Sequence, residues 1–364
     1  MVNSGLPAAG VIDAAARWLA APEEPDPWVV ETSGSTGRPK RVLLPRQAVL
    51  ASARASASRL GASGAWLLAL PPTYVAGLNV VVRSLLAGHR PVVAEDHGSF
   101  ARAVEALPDG PRFVSLVPTQ LRRLLETDAA TTAALASFST VLLGGGPIDP
   151  ALRRRAADAG VRAVATYGSA ETCGGCVYDG VPLDGVAVAL GEAGRVRIAG
   201  PTLFAGYDGD PGLTAEVLVH PSTGSGGTAW FLTSDAGRLD EDGRLHLLGR
   251  LDDVVVTGGV NVPAPAVAAR LREHVAVAEA EVLGVPDEEW GNRLVAFVVP
   301  ESGVAGRVGS ASDRSETHGL LEDLRDWVAA ERPRSWAPRQ LVVLDALPLL
   351  PNGKPDRVAL RGLA

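Results

Sequence analysis

Between residues 28 and 167, short β-branched runs alternate with longer Ala-, Leu- and Arg-rich stretches of helical period, and this alternation constrains the fold more than any other feature of the chain. The runs WVVE (28–31), WLLAL (66–70), PVVA (91–94), RFVSL (112–116), TVLLG (140–144) and RAVATY (162–167) are predicted strands. The stretches at 45–60, 76–88, 100–107, 118–126 and 150–160 are predicted helices. Strands and helices in strict succession predict an α/β fold with a mainly parallel sheet, in which ligands bind at the carboxyl ends of the strands. From about 186 to 250 the helices drop out and only strand-like runs remain, which predicts a small β subdomain. After GRLDD (249–253) alternation resumes with VVVTGG, a helix near 264–273, two strands up to Pro300, a helix near 319–331 and the strand RQLVVL. That piece reads as a compact α+β second domain, so the chain is expected to divide into an N-terminal domain (1–251) and a C-terminal domain (252–364).

A length of 364 residues also suits two domains, and 46% apolar with 21% charged residues is a globular composition. The net charge of -7 and the lack of basic blocks disfavour a nucleic-acid partner. No apolar run is long enough to cross a bilayer, and Asp13 and Arg17 interrupt the N-terminal stretch where a signal peptide would be apolar. A cytoplasmic protein without membrane insertion is expected. Cys173 and Cys176, in CGGC, are too few for a disulfide scaffold, and zinc would need two further ligands that the histidines do not supply at metal-ligand spacing, which leaves a redox pair as one reading.

The loop ETSGSTGRPKRVLLP (31–45) lies between two predicted strands. Its glycines allow backbone N–H groups to converge on an anion, Thr32, Ser33, Ser35 and Thr36 add hydroxyl donors, and Lys40 adds positive charge. The spacing is not that of a Walker A loop. An ordinary flexible turn would have the same composition.

The pattern T-S-G-S-T-G-x-P-K closely resembles the phosphate loop of the adenylate-forming superfamily, which includes acyl-CoA synthetases, luciferases and peptide-synthetase adenylation domains. Four further motifs follow in that superfamily's order: LLGGGPID (142–149), TYGSAET (166–172), TSDAGRLDEDGRLHLLGRLDDVVVTGG (233–259) and PLLPNGKPDR (348–357). Together they extend over nearly the whole chain.

The resemblance implies ATP, Mg2+ and CoA as cofactor and co-substrates. Thr32, Ser33, Gly34, Ser35, Thr36, Gly37 and Lys40 would bind the ATP phosphates. Gly145, Gly146 and Gly168 would lie beside adenine, Tyr167 would stack on it, and Asp235 with Arg250 would hold the ribose. Glu171 would hold the metal, a hard oxygen ligand for a hard cation. Ala170 stands where the superfamily has Thr or Ser, so either Ser169 or Thr172 would compensate for that hydroxyl or nucleotide binding would be weaker. Lys354, in a Gly/Pro turn, would neutralise charge as pyrophosphate leaves. Asp252 would be the hinge, and Gly258 and Gly259 would flank the CoA arm. The acidic residue usual just after the hinge hairpin is replaced by Ala266.

Only about 30 residues precede the phosphate loop, and this brevity resembles the compact o-succinylbenzoate-CoA ligases of menaquinone biosynthesis. LPPTYVAGLNVVVRSLLAG (70–88) resembles their acyl-pocket segment, which implies Tyr74, Gly77 and Arg83 as substrate contacts, with Thr119 on the pocket wall and ETCGGCVYDG (171–180) lining an aryl slot with glycines and small thiols. Arg83 in so apolar a helix needs a partner, and the second carboxylate of an aryl dicarboxylic acid would supply one. The expected reaction is ligation of 2-succinylbenzoate to CoA through an acyl-adenylate. A ligase for another aryl or short acyl acid, a stand-alone enzyme loading a carrier protein, and a catalytically silent nucleotide-binding protein remain alternatives. A homodimer is compatible with the reading.

Overall fold

The computed structural model describes residues 6–32, 40–220, 228–301, 314–351 and 353–364, with only the backbone of 314–316. Its largest sheet has seven strands. Val92–Val93, Ala65–Leu68, Arg112–Leu116, Thr140–Leu143 and Ala163–Ser169 lie side by side in parallel, followed by antiparallel Gly174–Tyr178 and Val181–Pro182. The central strands bury both faces, which explains why RFVSL and TVLLG read as unbroken apolar runs rather than alternating ones.

Local chemistry sets the helix ends that face the site. Pro118 and Pro150 each open a helix, where the missing N–H costs nothing, and Asp149 accepts the Ala151 N–H as a cap. The Arg46–Leu60 helix stops at Gly61, whose left-handed φ of 72° lets its N–H reach the carbonyls of Ala57 and Ser58. Val75–Leu86 contains the β-branched run Val80–Val82, a poor helix former in isolation; burial on nearly every side overrides that propensity. At its start, Gly77 presses against the Pro71 carbonyl so closely that a Cβ would stand 2.2 Å from the oxygen.

One expectation needs correction. The WVVE run does not join the parallel sheet. Trp28–Thr32 forms an antiparallel hairpin with Lys40–Leu44, and Gly206–Tyr207 adds as a third strand. A hairpin with a seven-residue connection cannot make a parallel pair, which needs a crossover of a dozen residues or more. The helices Ala8–Ala20, Ala129–Ala136 and Pro211–Val217 were not foreseen.

The run of strands after residue 186 forms a separate antiparallel sheet, Ala187–Leu190, Arg195–Ala199, Trp230–Leu239 and Leu218–Val219, with Leu245–Arg250 also on the long central strand. Beyond it come the hairpin Val254–Thr257 with Val260–Pro263, and a three-stranded sheet of Val277–Asp287, Gly291–Pro300 and Gln340–Val343. The helices Ala264–Arg272 and Arg314–Ala329 cover that last sheet around Val267, Leu271, Val282, Ala296 and Leu324. Ala266 therefore begins a regular helix despite replacing an acidic residue.

Candidate active site

The carboxyl ends of three parallel strands open on one cleft. The strand Thr140–Leu143 leads into Gly144–Gly146, Arg112–Leu116 into Val117 and Thr119, and Ala163–Ser169 into a single 3-10 turn, Ala170–Thr172. Gly145 has φ 81°, and a side chain there would stand 3.3 Å from Val117 Cγ1 and 3.9 Å from Lys354 Cε. The turn carrying Lys354 thus lies directly against the strand ends. Its Gly353, at φ 78°, leaves no room for a Cβ beside Val117, and the Gly353 carbonyl meets the Thr119 hydroxyl at a loose 3.5 Å. Thr119, expected on an acyl-pocket wall, faces this turn.

Two tyrosines, Tyr207 buried and Tyr167 half-buried, each hold a site carboxylate. Tyr167 donates its phenol proton to Asp235 Oδ2 across 2.7 Å, and Tyr207 donates to Glu171 Oε1 across 2.8 Å. Burial is the main force lifting the pKa of both phenols, reinforced by the adjoining carboxylates, so both remain proton donors. Arg250 forks onto Asp252 at 2.8 and 2.5 Å and stands 3.8 Å from Asp235. Desolvation raises the pKa of Asp235, opposed by the Tyr167 hydrogen bond and the charges of Arg250 and Lys354.

Lys354 is solvent-exposed as a whole residue, yet its Cε lies against the Gly145 turn and protein crowds that side of it. That enclosure, helped by Arg250, pulls its pKa below the ordinary lysine value, while Asp235 and Glu171 act to retain the proton. Lys354 therefore shares one electrostatic neighbourhood with both carboxylates. Lys40 closes the arrangement from the hairpin side, its ammonium 5.3 Å from the centre of the Tyr207 ring. Thr32 pairs with Lys40 across the hairpin. Ser33, Gly34, Ser35, Thr36 and Gly37 lie outside the described residues.

The turn around Glu171 is built from buried polar contacts. Cys173 adopts a left-handed φ of 51°, and its carbonyl accepts from both Ser52 Oγ at 3.0 Å and Asn79 Nδ2 at 2.8 Å. Thr172 Oγ1 spends its bonds within the turn, accepting from Ser169 N and donating to Gly174 O. Its hydroxyl is thus engaged within the turn, whereas Ser169 Oγ is buried without a hydrogen-bond partner. Ala170 packs into the main apolar core. Gly168 lets the two strands of this hairpin touch, since a Cβ would meet the Gly174 carbonyl at 2.0 Å.

The remaining expected residues lie elsewhere. Gly258 and Gly259 turn the hairpin after the Asp252 region with φ of 54° and 76°, and the Gly258 Cα sits on the Trp290 ring. Tyr74 occupies the N-cap position of the Val75–Leu86 helix without a side-chain cap bond and is half-buried. Gly77 serves the helix contact with Pro71 described above. Arg83 is buried one turn beyond Asn79, bonded to the Tyr178 phenol at 3.3 Å and lying over Trp66, with no carboxylate in reach among the described residues. The structure does not bring it to the Asp235–Glu171 group. The cysteines line no slot, which corrects the reading that the resemblance implied: both are fully buried, Cys173 in the main core and Cys176 in a second cluster with Val196 and Leu245. Burial pushes the Cys176 thiol up to about 12, so neither slot nor redox chemistry is needed to explain it.

Tyr207 escaped sequence reasoning, because nothing in GYDGD signals a partner 36 residues earlier. Arg357 also escaped it. Three residues past Lys354, it ties the turn to Asp253 at 2.6 Å and Glu281 at 2.8 Å.

Comparison with known proteins agrees with this geometry. Residues 19–200 match the AMP-binding enzyme family and residues 266–354 the AMP-binding enzyme C-terminal domain. The chain is 42% identical to a probable 2-succinylbenzoate-CoA ligase of Mycobacterium tuberculosis (strain H37Rv), over 91% of this chain and 83% of that protein. The o-succinylbenzoate CoA synthetase of Bacillus subtilis, solved with its acyl-adenylate intermediate, is 26% identical with a TM-score of 0.71, over 92% of this chain and 68% of that one. An amide bond synthetase of Marinactinospora thermotolerans is 29% identical with a TM-score of 0.74, over 92% and 68%.

Proposed function

Because this chain belongs to the AMP-binding enzyme family, we propose that it joins 2-succinylbenzoate to CoA in two steps. In the first, a carboxylate oxygen of the acid attacks the α-phosphorus of ATP, the bond to the β-phosphate oxygen breaks, and acyl-AMP and pyrophosphate result. In the second, the CoA thiol attacks the acyl carbon, loses its proton and expels AMP, leaving the thioester. The observation that carries the reading is the convergence of Lys354, Glu171 and Asp235 on one cleft from distant parts of the chain.

Each residue then has a physical task. Asp235, oriented by Tyr167, accepts two ribose hydroxyls, and Arg250 supports it. Tyr167 offers its ring to adenine beside Gly145, Gly146 and Gly168. Lys354 neutralises charge shared between acid and α-phosphate, which a carboxylate nucleophile requires in place of a general base. Residues 33–37, with Thr32 and Lys40, cradle the phosphates.

Among the described residues, no cluster of three or more His, Cys, Asp or Glu side chains could hold an ion unaided. One buried carboxylate, Glu171, together with nucleotide phosphates fits the habit of Mg2+, which takes few protein ligands. Glu171 would hold the ion, whose chemistry is to screen the phosphate charge.

The second step requires Lys354 to leave and the Gly258–Gly259 turn to approach, with residues 252–364 turning as a lid about Asp252. Arg83 is the proposed counter-charge for the second carboxylate, supported by its burial without an acidic partner and its unpartnered Nε. No described helix is long and apolar enough to cross a membrane. Cytoplasmic residence and a homodimer belong to the same reading.

ATP–pyrophosphate exchange tests it. Exchange dependent on 2-succinylbenzoate, followed by thioester formation with CoA, is the expected result. Exchange with benzoate alone would point to a different acid, release only to a carrier protein would point to another acceptor, and no exchange with any acid would point to a silent nucleotide-binding protein.

A further inference from the structure

Tyr207 stands between the two phosphate-side charges of the site, and its placement is over-determined. Its backbone N–H donates to Thr214 Oγ1 at 2.9 Å, its strand pairs with Val42 next to the phosphate hairpin, and its ring meets Phe204 edge-on at 5.1 Å. Phe204 in turn donates its N–H to the carbonyl of Glu171 at 2.9 Å. Held this way, the phenol has one direction in which to donate, and the Glu171 carboxylate receives it. The Lys40 ammonium lies over the same ring, 5.3 Å from its centre. One side chain thus fixes a carboxylate through its hydroxyl and a cation through its π face.

We propose that Tyr207 is a positioning residue for the metal–nucleotide complex: its hydroxyl locks the Glu171 carboxylate in the orientation that receives Mg2+, and its ring aims Lys40 at the phosphates. The inference rests on the reading of Glu171 as the metal ligand and adds a residue to it. A carboxylate with one oxygen occupied by a phenol presents the other oxygen in a fixed direction. Outer partners of this kind commonly account for a tenfold or larger share of metal affinity.

The test measures Mn2+ binding to the enzyme–ATP complex by electron paramagnetic resonance, and ATP affinity by calorimetry with and without Mg2+, in the parent, Tyr207→Phe, Glu171→Gln and the double variant. Tyr207→Phe should weaken metal binding about tenfold, leave metal-free ATP affinity unchanged, and add nothing in the Glu171→Gln background. Tyr207→Leu, which also removes the ring from Lys40, should further weaken metal-free ATP binding. Unchanged metal affinity in Tyr207→Phe, an equal loss with and without metal, or an additive double variant would overturn the role of Tyr207 alone. If Glu171→Gln itself leaves the metal dependence intact, the reading of Glu171 fails instead, and the two failures are distinguishable.

Discussion

The phenol of Tyr167 and the carboxylate of Asp235, 68 residues apart in the chain, are joined by a 2.7 Å hydrogen bond at the mouth of the cleft. The bond sets which way the carboxylate points. It also offsets part of the desolvation that favours the neutral acid.

Tyr167→Phe should raise the KM for ATP roughly tenfold, the usual weight of a hydrogen bond to a charged group. The ribose site needs Asp235 ionised, so ATP binding falls as pH drops through its pKa, which lies above the ordinary aspartate value of about 3.9. Removing the phenol lifts that pKa further, and the acid limb of the binding curve should move to higher pH. A raised folded-state pKa also means that ionising Asp235 opposes folding: its contribution favours the fold at low pH and is lost as pH rises through the folded value. Asp235→Asn should therefore abolish ATP binding without lowering Tm at neutral pH, as calorimetry and thermal melts will show.

Lys354→Ala should nearly abolish pyrophosphate exchange while sparing thioester formation from synthetic acyl-adenylate. Loss of both steps together would contradict a lysine that serves only the first. Enclosure in the cleft places its pKa below the free-lysine value near 10.4, so exchange should decline on the alkaline side earlier than an unperturbed lysine would dictate.

Arg83→Met separates two roles. As counter-charge to the acid's second carboxylate, its loss should raise the KM for 2-succinylbenzoate about thirtyfold or more and leave the KM for ATP alone. A lower Tm with both KM values unchanged would assign Arg83 to the Trp66–Tyr178 core alone.

Arg357→Gln leaves Asp253 and Glu281 largely buried and without their cation. Burial already raises the pKa of Glu281, and Arg357 is the leading force holding it down. Stability from a raised carboxyl is lost as pH rises through its folded value, and the variant raises that value further. The Tm deficit should accordingly be larger at pH 8 than at pH 5. Recovery by Arg357→Lys of half or more of the Tm that Arg357→Gln loses at pH 8 would show that charge, rather than the planar fork, is what the site needs.

Much of this was legible beforehand for identifiable reasons. Glu171 and Lys354 stand in short motifs whose spacing is local, and the RFVSL and TVLLG strands announce themselves because burial on two faces demands continuous apolar side chains. The partners of those residues were not legible. Tyr207 is an aromatic in an unremarkable GYDGD stretch, and the Cys173 and Cys176 thiols, which spacing left open to redox chemistry and the resemblance assigned to a slot, proved to belong to two different cores. The WVVE strand went to a separate hairpin because its connection is too short for a parallel crossover.

Local order along the chain was enough to determine the α/β alternation and the identity of the charged groups, since periodicity and motif spacing are properties of neighbours. Only the tertiary structure decided which carboxylate each tyrosine holds, that Thr119 faces the lysine turn, and that Arg83 is buried over Trp66. Those are contacts between residues tens to hundreds of positions apart, and their geometry is set by how sheets and helices pack, which no local pattern encodes.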